Sequence, residues 1–256
     1  MAKIKGKNLI KVLSPLISLG AFLALWLVVA KIVNVEVLLP SPEKVISAFF
    51  ELICKGDFYA AVLGTLGRAT LGFAISMALA LGFAVLSLVS RAVEHAIEPL
   101  VVIARAIPTM SIILLALVWL NANLSPVLVG VLISFPALYS ALIGGIKGVD
   151  PGLIQMSKVY KVGLRRRITS LYVPCIVPSF AGQCASTASL NLKVVIAGEV
   201  LAQTTVSMGV EMQIAKVLIE MPMLFAWTAV AIILSFLLEM AIKACFRLLP
   251  GGKVCK

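Results

Sequence analysis

The stretch DPGLIQMSKVYKVGLRRRITSLYVPCIVP (residues 150–178) decides how this chain is read. It is basic, it opens on a helix start, and it lies between two long apolar spans. Asp150 is suited to cap the free amides of a helix, and Pro151 to occupy its first turn. Leu153, Met156 and Tyr160 then recur at helical spacing and predict one apolar face. Lys147, Lys158, Lys161 and Arg165 to Arg167 surround that face with positive charge. Membrane helices are commonly joined by short turns. A structured connection of this length therefore predicts either a groove-docking helix for a cytosolic partner or a helix lying on anionic headgroups.

Outward from this segment the chain is membrane-like throughout. It has 256 residues, of which 61% are hydrophobic and 13% charged. Crossing a bilayer takes about 20 apolar residues. Residues 12–30, 69–90, 168–192 and 221–238 carry no charged side chain. Residues 106–146 are also uncharged, and at about 1.5 Å per residue they would run roughly 60 Å. That is two spans, with Asn121, Asn123, Ser125 and Pro126 marking the turn between them and the third helix beginning near Pro99. The expected fold is an all-α membrane protein with six transmembrane helices and a cytoplasmic helix between helices four and five. The expected divisions are a first span with an external interfacial helix (1–61), a core (62–246) whose connecting loop is 147–173, and a basic tail (247–256). In the first division Ser41-Pro42 starts a helix with Val45, Ile46, Phe49, Phe50, Leu52 and Ile53 as its apolar stripe. In helix five, Ala181, Ala185 and Ser189 predict a close-packing face.

The net charge of +11 is unevenly distributed. With both termini cytoplasmic, fifteen Lys and Arg fall in the inside segments, while Lys31, Lys44, Lys55 and Lys216 fall outside. That bias fixes an N-in, C-in topology and assigns the basic charge to insertion and lipid headgroups rather than to nucleic acid. The N-terminal apolar run is long for a signal peptide and reads as a retained first helix. The cysteines show no CxxC or Cys/His spacing. Neither Gly6-Lys7 nor Gly252-Lys253 sits in a phosphate-binding GxxxxGK[ST] loop, so any ATPase must come from another chain. His95, the only histidine, has no catalytic companions. An enzyme is not expected, nor a bound cofactor or metal.

The connecting segment resembles the cytoplasmic "EAA" loop of the inner-membrane permease subunits of binding-protein-dependent ABC importers. That pattern reads Glu-Ala-Ala, three residues, Gly, nine residues, Ile, one residue, Leu-Pro. Here Gln155-Met156-Ser157 stands at Glu-Ala-Ala, Lys161 at Gly with Gly163 two residues on, Leu171 at Ile, and Val173-Pro174 at Leu-Pro. The chain is similar to the nitrate/sulfonate/taurine type over most of its length. LLPSP (38–42), TLGRATLGF (65–73), EPLVVIARAIPTMSIILLALVW (98–119), PCIVPSF (174–180) and AGEVL (197–201) carry that likeness in order. The resemblance implies the type I importer permease fold. It implies a pore of two copies and two ATP-binding subunits that hold ATP and Mg and dock at Asp150, Pro151, Leu153, Gln155, Met156, Ser157, Tyr160, Gly163 and Pro174. It also implies a substrate-binding protein outside, docking on residues 35–61 and 203–223, and location in a prokaryotic inner membrane. Gln155 removes a negative charge from the pattern, and Lys161 places a side chain where the family turns tightly.

Charges within spans are costly and face a bundle interior or a water path. Arg68 and Arg105 lie near span ends, where snorkelling to headgroups is the expectation. Arg105, Lys193 and Glu199 are candidates for the translocation path. Lys193 and Glu199, about 120° apart around helix five, are expected to find partners on other helices or subunits. Cations outnumber the anion, which favours an anionic solute such as nitrate, sulfonate or taurine. The rival readings are an ion-coupled secondary carrier, which would use broken inverted repeats, and the transmembrane scaffold of an energy-coupling vitamin importer.

Overall fold

The computed structural model describes residues 2–248, with side chains at 17, 18 and from 20 onward. The basic tail from 249 and the lysine side chains of 1–16 lie outside the described residues. Among the described residues the protein is entirely helical. In chain order the helices are α1 (Ala2–Val33), α2 (Pro42–Ile53), α3 (Gly56–Val89), α4 (Arg91–Ala106), α5 (Thr109–Trp119) and α6 (Ser125–Lys147). They continue as α7 (Pro151–Val159), α8 (Leu164–Arg167), a π-turn at Ile168–Tyr172, α9 (Val173–Ala202), α10 (Met208–Val217) and α11 (Met221–Leu248).

Four continuous helical stretches are long and apolar enough to cross a bilayer: Gly56–Val89, Ser125–Lys147, Leu164–Ala202 and Met221–Leu248. The expected third span is broken. α4 and α5 meet at a 100° bend instead of forming one helix. Proline disfavours helical geometry in the residue before it, and Ile107 is extended at φ −71°, ψ 128°. Pro108 is itself extended, so two consecutive residues leave the helix. The described apolar part of α1 is the shorter segment Gly20–Val33.

Two compact units result, one of residues 1–59 and 211–230, the other of 60–210 and 231–256. In the first, α2 buries Pro42, Val45, Ala48 and Leu52. This face is narrower than the sequence stripe, because Ile46 and Phe50 point outward. Trp26 packs on Phe225, and Phe58 stacks on Trp227 at 5.5 Å. Glu211 sits in this unit with its carboxyl above the usual range, chiefly through burial and then through repulsion from Asp57.

The second unit is organised around α9. Its close approach to α6 depends on small residues. A Cβ on Gly145 would lie 2.8 Å from the Ile176 side chain, and one on Gly130 would lie 2.5 Å from Asn191 Oδ1. Small residues give lipid-embedded helices this proximity. Asn191 then ties three helices together. Its Nδ2 donates to the Ala69 carbonyl at 2.7 Å, and its Oδ1 accepts from Ser134 Oγ at 3.1 Å. At the other end of the unit Ser87 and Tyr139 hydroxyls bond at 2.9 Å, and Lys147 pairs with Glu94 at 2.7 Å.

Candidate functional site

The helix start read from Asp150-Pro151 is present. Asp150 Oδ1 accepts from the Gly152 amide at 2.7 Å, and Pro151 opens α7. The exposed face differs from the one expected. Leu153 is half-buried beside Ile154, and Ser157 is buried with its hydroxyl donating to the Ile154 carbonyl. These three residues form the inner face. Met156, Val159 and Tyr160 form the outer ridge, the last two being 77% and 75% exposed. Leu153 is therefore absent from the exposed apolar ridge and Val159 is part of it, since the neighbouring helices decide which arc of α7 is covered. Gln155 is exposed on the outer side.

α7 ends where the family pattern turns. The Val162 amide reaches the Ser157 carbonyl and the Lys161 amide reaches that of Lys158. This pair of bonds is a Schellman closure, which requires a left-handed residue. Lys161 supplies it, with φ 50°. A side chain there costs about 1 kcal/mol relative to glycine. Gly163 is extended at φ −60°, and a Cβ on it would meet nothing, so this glycine is not the turn. Arg167 Nη2 then donates to the Val162 carbonyl, bracing the connection to α8. Pro174 lies in the first turn of α9, directly after the π-turn whose closing bond runs from the Val173 amide to the Ile168 carbonyl. With no amide on Pro174 or Pro178, the start of α9 lacks two helix bonds.

Along α9 the face expected for close packing is internal to this chain, with Ala185 and Ser189 buried. The outward face carries Ser179, Gln183, Ser186, Leu190 and Lys193. A polar row is out of place against lipid tails and needs water or protein over it. Lys193 is exposed on this row, and no ion pair to it forms among the described residues. Near α7 the row opens into a cleft walled by Gly144, Gly148, Asp150, Leu153, Ser179 and Gln183. The start of α7 and the polar row thus share one wall.

The other expected path residues are placed differently. Glu199 is fully enclosed. Its carboxylate accepts from Arg68 Nε at 2.8 Å, from Thr65 Oγ1 at 2.8 Å and from the Gly209 amide at 3.3 Å. Thr65 Oγ1 in turn accepts from the Met208 amide at 3.0 Å. Arg68 is accordingly a buried-pair residue, not a snorkelling one, with a side chain only 15% exposed. Arg105 is exposed and donates from Nη2 to the Pro136 carbonyl at 3.0 Å. Thr65 and Asn191 were not singled out from the sequence. The available signal was polar residues in apolar spans, opposite charges on two of them, and the two motifs TLGR and AGEV that carry the pair.

The described chain is thus a set of helices in which the capped helix α7 lies between two spans and a polar row runs along the adjoining span. The family model of the binding-protein-dependent transport system inner membrane component matches residues 72–249. The chain belongs to this family. Among its relatives is the SsuC protein of Bacillus subtilis, named as an aliphatic sulfonates transport permease. It is 26% identical over 162 residues, 62% of this chain and 59% of that one. A riboflavin transport system permease of Chloroflexus aurantiacus is 27% identical, covering 83% of this chain and 79% of its own. The fold matches a crystal structure of an amino acid ABC transporter at TM-score 0.64 and 15% identity, over 75% of this chain and 94% of that one. As a member of this family the chain is an ABC transporter permease subunit with apolar membrane-crossing helices.

Proposed function

We propose that this chain is the pore-forming subunit of a type I ABC importer in a prokaryotic inner membrane, crossing it six times with both termini inside. Two copies form the pore. Two ATP-binding subunits, which hold ATP and Mg, dock on α7, and an external binding protein delivers a small solute. The observation that carries this reading is the exposed ridge of Met156, Val159 and Tyr160 on a helix capped at one end and closed at the other. An apolar ridge held in a fixed conformation loses little entropy on docking into a groove. Closure of the ATPase pair draws the two α7 helices together. The cleft beside Asp150 and Leu153 conveys that movement to the polar row of α9. The same row lines the path between the two copies. Lys193, with no carboxylate partner among the described residues, favours an anion such as nitrate, sulfonate or taurine as cargo. Since relatives carry names for sulfonates and for riboflavin, finer selectivity falls to the binding protein.

Replacing Val159 and Tyr160 by Asp is expected to abolish co-purification of the ATP-binding subunit in mild detergent while leaving membrane insertion intact. Retention of the ATPase by this variant would remove the docking assignment.

A further inference from the structure

We propose that an apolar groove bounded by α3, α6, α9 and α11 holds one acyl chain of an anionic phospholipid, whose phosphate sits among Arg165, Arg166 and Arg247. The groove lies wholly within the second compact unit, and its exposed wall carries no polar atom; Met77, Leu142, Ile176, Phe180 and Phe246 are among its walls. Its rim residues Leu81, Val85 and Val173 are 46%, 42% and 45% exposed, so it is open along an edge. For a helix bundle in a bilayer the surrounding medium is hydrocarbon, and an open apolar groove accepts an acyl chain without displacing water.

Its length and its charge select the occupant. From Tyr172 to Cys184, both lining residues, the groove follows α9 for about 18 Å. One leaflet contributes about 15 Å of hydrocarbon, half of a core of about 30 Å. Beyond Tyr172 the wall continues through Ile168 into α8. Arg165 lies three residues before Ile168, on the same helical side. Arg166 is beside it, and both are exposed. On the opposite wall Phe246 lines the groove and exposed Arg247 follows it. No carboxylate pairs with any of these three arginines among the described residues. An apolar slot one leaflet deep with unneutralised guanidinium groups at its end matches a lipid bearing a net negative phosphate. The polar row of α9 lies about 110° around the helix from Ile176, Phe180 and Cys184, so a second copy covering that row leaves the groove to lipid. Because Ile168 and Tyr172 bound the π-turn, the lipid braces the joint between α8 and α9.

The test uses the full chain in nanodiscs containing phosphatidylglycerol with a photoreactive group near the end of one acyl chain. Adducts are mapped by peptide mass spectrometry, with phosphatidylcholine carrying the same group as the comparison. Adducts are expected to concentrate on peptides bearing Val85, Cys184 and Ile242. Filling the open edge with Val85→Trp, or with Leu81→Trp as an independent variant, should lower them about fivefold. Combining Arg165→Gln, Arg166→Gln and Arg247→Gln, all at exposed positions, should cut the phosphatidylglycerol adducts by about tenfold. The phosphatidylcholine adducts should not change. Adducts spread over all lipid-facing helices and indifferent to these variants would overturn the proposal. So would cross-linking between two copies through Cys245, which would make the groove a protein interface.

Discussion

The two ends of α9 are built on opposite terms. Toward Ala202 nearly every position except the outward row is buried, and each buried polar group is answered: Asn191 by Ala69 and Ser134, Glu199 by Arg68, Thr65 and Gly209. Toward Val173 the helix begins on a π-turn, carries two prolines within its first two turns, and leaves much of its surface half-covered. Buried polar groups in a low-dielectric interior fix one arrangement strongly, because any slip leaves a charge unpaired. Missing backbone bonds make bending less costly where they occur. The end of α9 at Ala202 is thus the rigid one, and the end beside α7 is the compliant one.

The largest effect should come from breaking the rigid end. Glu199→Ala would leave the Arg68 guanidinium and the Thr65 hydroxyl without their acceptor, at a cost of about 3 kcal/mol. The expected result is a large fall in thermal unfolding temperature in detergent. Adding Arg68→Met to Glu199→Leu should recover most of it; failure of this pair to recover would mean that the site matters for more than charge neutrality. Next is the middle of the helix. Gly130→Ala places a methyl 2.5 Å from Asn191 Oδ1, and overpacking of this kind costs about 1–3 kcal/mol. Gly163→Ala, in open space, is the matched control and should change unfolding little. At the compliant end, Lys161→Gly should stabilise α7 by about 1 kcal/mol, read as slower amide exchange at Tyr160 to Val162. No change in exchange would show that the left-handed turn is not populated. The smallest effect lies outside α9. Glu211→Gln should raise stability at neutral pH, where the native carboxyl, held above its ordinary value, pays for ionisation. The benefit should fade as pH falls through the carboxylate range and the native residue takes up its proton. A stability difference that is flat with pH would contradict this.

What the sequence made legible follows the range of the forces involved. Caps are local, so Asp150-Pro151 marked the start of α7 correctly, and the Lys161 position was recognisable as a turn. Which side of α7 faces out depends on helices far along the chain, so the half-covering of Leu153 and the exposure of Val159 were not legible there. Arg68 and Glu199 were visible as charges in spans, but their pairing across 131 residues was not. The third span was legible from its apolar length, while its break required Ile107 and Pro108 to leave the helix together. The polar row of α9 emerged only once burial separated Ser179, Gln183, Ser186 and Lys193 from Ala185 and Ser189.

The break at Ile107-Pro108 also bears on how the chain enters the bilayer as it is made. α5 has 11 residues, about 16 Å of helix, against a hydrocarbon core of about 30 Å. On its own it would leave its end amides and carbonyls in lipid. It is closed onto α6 by a short turn in which Asn121 Oδ1 accepts from the Leu124 amide, and the Ser125 hydroxyl donates back to the Ala116 carbonyl. α5 and α6 therefore form a natural insertion hairpin. The shorter arm spans too little hydrocarbon to enter alone, so the pair is expected to insert together.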